Sequence, residues 1–183
     1  LIEDLVDWAS IEQGKFRLEP SAFDPGQMVE EAVSGPQARA QARGITLTAK
    51  IEPSLPAIVA DKRRLAQVLQ NLLENATRHT MKGGQITVML TRVAAGPDKG
   101  EVQFAVRDSG EGIAADEVGK IFRSFYQGKG QSGGGRLGLG LSIAKEIVEA
   151  HRGRLWAESQ GLGKGATFVF TIPYAAVPVS AQA

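Results

Sequence analysis

The sequence has no cysteine and only two histidines, His79 and His151. Disulfides, thiol catalysis and Cys-based zinc sites are thereby excluded, and a multi-histidine metal centre has too few ligands. Charge of one sign is missing too: 21 Lys+Arg stand against 20 Asp+Glu. A nucleic-acid-binding domain carries a basic excess, so nucleic acid is not an expected partner. No apolar run approaches the roughly 18 residues of a membrane span, and no signal peptide is visible, so a cytoplasmic location is expected. The chain opens on Leu1, inside a helical pattern, which points to a piece cut from a longer protein. Its 183 residues suit one domain with a full core and perhaps a small appendage.

Glycine is what the sequence has in excess. Residues 108–140 hold 10 of the 22 Gly, where an even spread gives about 4, and no proline falls between Pro97 and Pro173. Glycine without proline suggests mobile, close-approach backbone of the kind that lines phosphate sites.

Periodicity supplies the elements. Leu1, Leu5, Trp8 and Ile11 recur at helical spacing and Gly14 is a stop; this stripe needs a partner that the chain does not evidently supply. Residues 15–23 alternate as a short strand. Pro25 opens a helix to about Arg43, which Gly35-Pro36 should bend, and Met28, Val29, Ala32 and Val33 share one side. Strands follow at 45–51 and 58–60, then a helix capped by Asp61 and running to about Thr80. Residues 85–93 and 101–107 form a hairpin around a Gly-Pro-Asp turn. A helix from Leu137 or Gly138 ends near His151, with Leu141, Ala144, Ile147 and Val148 as its core stripe. Strands at 154–158 and 166–172 close the chain before a frayed tail. The mixture predicts an α+β two-layer sandwich: one mixed sheet with helices on one face.

Three segments carry chemistry. In LAQVLQNLLENATRHT, Leu65, Val68, Leu69, Leu72 and Ala76 form a core stripe, while Asn71, Asn75 and Arg78 share one flank and His79 sits at the boundary. Amides and a guanidinium beside a buried face are poor choices for stability alone. An amide oxygen ligates a hard cation such as Mg²⁺ and arginine meets phosphate; a plain polar helix face is the alternative. DSGEGI at 108–113 places a carboxylate at a strand end, suited to an exocyclic amine, with Gly110 and Gly112 letting backbone turn beside a ligand; an ordinary Asp-Gly turn is the alternative. Between IFRSFYQ and the helix after Leu137 lie five Gly in 128–135, with Lys129 among them and Arg136 after them adding charge. A mobile loop ending at a helix N-terminus favours phosphate, against the alternative of a flexible surface loop. Together the segments describe a Mg-nucleotide site under a lid. Neither a G-x-x-x-x-G-K-[ST] loop, a strand-borne G-x-G-x-x-G, a Ser-His-Asp set nor H-E-x-x-H is present.

These segments resemble the ATP-binding boxes of the sensor histidine kinases, within the superfamily that includes gyrase, the Hsp90 chaperones and MutL. NLLENATRHT resembles the N box, DSGEGI the first glycine box, IFRSFYQ the F box, RLGLGLSIAKEIVEAHRG the second glycine box and GKGATFVFTIP the closing strand. LIEDLVDWASIEQGKFRLEPSAFDP resembles the junction between dimerisation helices and catalytic domain. The resemblance implies the Bergerat ATP-binding sandwich and a division into the end of a dimerisation helix (1–14), a catalytic domain (15–174) and a flexible tail (175–183). It implies that Asn75 ligates Mg²⁺, that Asn71 and Arg78 act at the phosphates, and that Arg78 and His79 face phosphate or ribose. Asp108 reads the adenine amine; Gly110, Gly112 and Ile113 shape the adenine pocket. Gly138, Leu139, Gly140 and Leu141 approach the phosphates, and Thr167 supports the adenine through water. Three positions depart from the pattern: Arg136-Leu137 replaces a usual Gly-Thr, Gln127 stands where arginine is common, and Arg152 replaces a glycine.

The acceptor motif resembling S-H-E-[LFI] is absent from the sequence. The implied partners are therefore ATP or ADP, a dimerisation and histidine-acceptor domain upstream, and a response regulator receiver domain. The full-length protein is expected to be a homodimer, possible at a membrane, and this fragment a monomer. Rival readings are a gyrase- or Hsp90-type ATPase clamp, a nucleotide-binding module without transfer, and an anti-sigma-type serine kinase.

Overall fold

Alternating apolar residues on three long strands create the surface on which the rest packs. In β4 (Gln85–Ala94) Ile86, Val88 and Leu90 point one way; in β5 (Lys99–Asp108) Val102, Phe104 and Val106 do so; in β7 (Ala166–Ala175) Phe168, Phe170 and Ile172 follow. The antiparallel register sets Phe104 opposite Phe170, and their rings stack 4.4 Å apart. β6 (Arg154–Glu158) joins β7 antiparallel, and β2 (Thr46–Ile51) joins β4 parallel, giving the order β2-β4-β5-β7-β6. The computed structural model describes residues 2–94, 99–127 and 137–175. The Gly-Pro-Asp turn, the expected lid with Lys129 and Arg136, and the tail beyond 175 lie outside the described residues.

The helices α2 (Pro25–Ala42), α3 (Lys62–His79) and α4 (Gly140–Ala150) cover the apolar face. α2 starts on an Asp24 cap, whose carboxylate accepts from the Gly26 N–H at 2.7 Å, and it continues through Gly35-Pro36, where a bend is expected from the sequence. α3 turns Leu65, Val68, Leu69, Leu72, Leu73 and Ala76 fully inward. Its passage beneath the sheet is what lets β2 and β4 run parallel. In α4 the deepest residues are Ile143, Ala144, Ile147 and Val148; Leu141 is only half-buried. The predicted single mixed sheet is joined by a two-stranded ribbon, β1 (Ser21–Phe23) against β3 (Ile58–Ala60). Residues 15–20, expected to be strand, are not. The Glu19 N–H is taken by the Asp61 carboxylate rather than by a ladder, and Pro20 has no N–H to give.

One buried residue joins these pieces. Asp61 caps α3 through Oδ1, accepting the Arg64 N–H at 3.0 Å, and holds the lead-in to β1 through Oδ2. Its own N–H donates to His151 Nε2 at 2.9 Å, while His151 Nδ1 lies 2.8 Å from the Ile147 carbonyl. Both ring nitrogens are thus committed, in the tautomer with the proton on Nδ1.

α1 (Ile2–Glu12) also packs on this domain. Arg64 Nη1 donates to both oxygens of the buried Asp7 at 2.8 Å, and Gln67 Nε2 donates at 2.7 Å. Phe16 lies under the same guanidinium, and Trp8 meets Phe125 edge-on at 5.3 Å. The stripe expected to need an outside partner therefore splits: Trp8 and Ile11 pack inward, whereas Leu5 is exposed, as are Ile2 and Val6 outside the stripe. Among the described residues, no helix is long and apolar enough to cross a membrane.

Replacing His151 by Ala leaves the buried Asp61 N–H without an acceptor, which costs about 1–3 kcal/mol. Urea unfolding should show a loss of that order for His151→Ala. His151→Gln, whose amide oxygen reaches the Nε2 position, should recover most of it.

Candidate functional site

The polar flank of α3 divides its labour. Asn71 is half-buried and its Nδ2 donates to the Gly140 carbonyl at 3.0 Å, bridging α3 to the first residue of α4. Asn75, one turn on, is half-buried with no hydrogen bond to its amide among the described residues. Its oxygen is thus uncommitted, as a cation ligand's must be, and one amide supplemented by substrate oxygens and water suits Mg²⁺ chemistry. Among the described residues no group of three acidic or histidine side chains makes a protein-only metal cage. Arg78 is exposed in the last turn of α3.

His79 ends the helix and is tied to the first glycine box twice. Its Nδ1 pairs with the Glu111 carboxylate, and its carbonyl accepts the Glu111 N–H at 3.1 Å. That second bond requires close approach of backbone: a Cβ on Gly110 would lie 2.1 Å from the His79 carbonyl oxygen. A Cβ on Gly112 would lie 2.1 Å from the Gly161 oxygen. Both glycines are demanded by crossing protein backbone, so the ligand expected beside them is not the reason for their being glycine.

Asp108 stands at the end of β5, 5% exposed. Its Oδ1 accepts the N–H of Gly110 at 2.8 Å and of Ala166 at 3.3 Å. Its Oδ2 makes no hydrogen bond among the described residues and is not sealed off. One oxygen fixes the carboxylate and the other remains an open acceptor. Burial pushes the carboxyl pKa above its ordinary 3.8; the two backbone N–H groups and nearby His79 draw it down, and Glu111 adds to the rise.

Behind Asp108 the chain is anchored by Ser159, whose Oγ accepts the Ile113 N–H at 3.0 Å and donates to the Gly165 carbonyl at 2.7 Å. Ile113 packs against the core. Thr167 is placed otherwise than expected. The Ala166 N–H reaches Asp108, and strand alternation sends the Thr167 side chain to the opposite face, in register with Arg107 and Glu158. It still helps line a cleft of about 310 Å³ at the strand end, whose lining also includes Asp108, Ser159, Lys164 and Ala166. The alternation of Phe168 and Phe170 is the signal that would have placed Ala166 inward.

At the other end, Phe125 donates its N–H to the Gly138 carbonyl at 3.0 Å, and a Cβ on Gly138 would lie 2.5 Å from the Tyr126 oxygen. Leu139 is 2% exposed, so its side chain belongs to the core and only its backbone can face a ligand. Leu141 packs against the core as well. A Cβ on Gly140 would meet only Asn71, at an ordinary 3.6 Å. Sequence reasoning missed Glu111 and Ser159. Neither has a local signal: their partners lie 32 residues away for Glu111 and 46 for the Ile113–Ser159 bond.

The raised pKa of Asp108 fixes the sign of a stability effect. The folded state holds this proton more tightly than the unfolded chain, so stability present below the unfolded value is lost as pH rises through the folded value. Asp108→Asn keeps the Oδ1 acceptor and removes the charge. It should therefore melt higher than the natural sequence at neutral pH, with the difference shrinking on acidification, as read by thermal melts across pH.

Residues 60–176 match the family described as histidine kinase-, DNA gyrase B- and HSP90-like ATPase. The chain is 35% identical over 173 residues to the alginate biosynthesis sensor protein KinB of Pseudomonas aeruginosa, covering 94% of this chain but 28% of that protein. Full-length ShkA, whose crystal structure is a complex with AMPPNP, superposes with a TM-score of 0.84 at 29% identity, over 96% of this chain and 35% of ShkA. The catalytic domain of the histidine kinase ThkA gives a TM-score of 0.73 at 28% identity, over 85% of this chain and 96% of that domain. This chain belongs to the histidine kinase-, DNA gyrase B- and HSP90-like ATPase family, and within it to the ATP-binding catalytic domains of the sensor histidine kinases.

Proposed function

We propose that this domain binds Mg-ATP and presents the γ-phosphate to a histidine on a dimerisation domain upstream of it, from which a response regulator receiver domain takes the phosphoryl group. The observation that carries the reading is the divided carboxylate of Asp108: Oδ1 held by two backbone N–H groups, Oδ2 open. A buried acceptor of this kind matches the adenine exocyclic N–H donor and mismatches the guanine carbonyl. The homology to a kinase crystallised with AMPPNP supports the nucleotide, and Asn75 is the residue that would hold Mg²⁺. When bound, the cation neutralises phosphate charge. The chain itself orients: Asp108 fixes the base, Arg78 and His79 lie toward sugar or phosphates, and Asn71 sets the α4 N-terminus, whose free N–H groups favour phosphate. Positioning and charge neutralisation are most of what phosphoryl transfer asks of a protein.

Residues 1–14 are read as the end of a dimerisation helix and 15–174 as the catalytic domain, working in the cytoplasm, with the full-length protein a homodimer. An ATPase clamp would need a general base where Asn71 stands. An amide cannot take a proton from water, and this one already bridges to Gly140.

Asp108→Asn should weaken ATP binding by roughly 1–3 kcal/mol, and the natural sequence should prefer ATP to GTP; equal calorimetric affinities for ATP and GTP would refute the adenine assignment. Asn75→Ala should reduce affinity for Mg-ATP more than for adenosine.

The chain alone should bind ATP without phosphorylating itself. His79 is engaged by Glu111, and His151 has both ring nitrogens committed at the far end of α4 from Gly140, about 16 Å away at 1.5 Å per residue. Radiolabelled ATP should leave no acid-labile label on the isolated chain and should label a separately made dimerisation fragment in trans. Acid-stable label would favour the serine-kinase reading.

A further inference from the structure

We propose that Glu111 is a positioning residue for nucleotide binding, acting by holding the imidazole of His79 at the mouth of the site; the proposal rests on the nucleotide reading above. Glu111 occupies the place between the two glycines of the DSGEGI turn, with its side chain 58% exposed. A carboxylate so placed is costly near a polyanionic ligand, since like charges repel. Its geometry explains its presence. The backbone fixes where both partners sit: the Glu111 N–H donates to the His79 carbonyl at 3.1 Å, and the Glu111 carbonyl accepts the Gly163 N–H at 2.7 Å. The side chains then close a second link, Glu111 Oε1 to His79 Nδ1. The backbone link brings the two side chains together, and the side-chain link orients the imidazole, in the tautomer with the proton on Nδ1.

The pair stands beside the base-reading acceptor. Asp108 feels both partners, with His79 lowering its carboxyl pKa and Glu111 raising it. His79 also terminates the helix that carries Asn71, Asn75 and Arg78. The pair thus joins the turn that follows Asp108 to the end of the helix that carries the phosphate-reading side chains. Orienting an imidazole costs rotamer entropy, and the link to Glu111 meets part of that cost before the ligand arrives.

Charge and positioning make opposite predictions, which gives the test its force. Removing a carboxylate near a triphosphate would by charge alone tighten binding. Positioning requires it to weaken when the acceptor oxygen is lost. Calorimetry with ATP, alongside thermal melts, should compare the natural sequence, Glu111→Ala, Glu111→Gln, His79→Ala and the Glu111→Ala/His79→Ala double variant. Glu111→Ala should weaken ATP binding by roughly three- to tenfold, the loss of one net hydrogen bond. It should do so without lowering the melting temperature, because the Glu111 backbone bonds remain. Glu111→Gln retains an acceptor for Nδ1–H and should bind at least as well as the natural sequence. In the His79→Ala background, removing Glu111 should have no further weakening effect; should that background melt early, His79→Gln replaces it. Unchanged or tighter binding by Glu111→Ala overturns the proposal, as does an equal loss with and without His79, or a loss that Gln does not rescue. If the natural sequence binds no ATP, the nucleotide reading itself has failed and the proposal falls with it. Binding by the natural sequence with an unaltered Glu111→Ala refutes the proposal alone.

Discussion

Where α3 sits decides everything at this site, and α3 is fixed at its N-terminus by Asp61. The carboxylate is almost wholly buried and would be costly there unless satisfied. It is satisfied by Arg64 in the helix it caps and by Glu19 in the approach to β1, while its own N–H goes to His151 at the end of α4. Arg64, three residues on, carries Asp7 and hence α1. Three segments are therefore indexed to one helix end. From that end the helix runs as a rigid ruler to Asn71, Asn75, Arg78 and His79, so the placement of Asp61 sets the placement of the site.

The far end of the ruler meets a set of backbone crossings. The first glycine box lies against the His79 carbonyl, the 161–165 loop lies against the first glycine box, and Gly138 lies against Phe125 and Tyr126. At each crossing a Cβ would collide with a backbone atom, so these glycines serve protein-to-protein contact. The consequence for chemistry is that Asp108 and Asn71 are held by backbone groups, whereas His79 and Glu111 hold one another. Asp108 is fixed through one oxygen and presents the other already oriented, so binding need not pay to orient it, while Asn75 is placed by the helix that carries it.

α1 is clasped to the same scaffold. Its polar clasp engages α3 one turn before Asn71, through Gln67, and Trp8 engages Phe125, next to the backbone bond that holds Gly138. A buried ion pair of this type is weak as a source of stability but exacting in geometry, because breaking one partner strands the other. The helix is thereby registered against both sides of the site.

Local periodicity was enough to place the elements and the polar flank. A 3.6-residue repeat sets Asn71, Asn75 and Arg78 beside the Leu65–Ala76 stripe, and a two-residue repeat defines the strands. These properties belong to neighbours in sequence, so the sequence alone determines them. What the tertiary structure decided are partnerships across long separations. Asn71 bonds Gly140 across 69 positions and His151 bonds Asp61 across 90. The pairing of Glu111 with His79, the docking of Trp8 on Phe125 and the strandless path of residues 15–20 are of the same kind. Sheet register, likewise, gave Ala166 rather than Thr167 to Asp108. No pattern within a helix or strand encodes such pairs, because they exist only once burial and hydrogen-bond satisfaction have been settled for all the segments together.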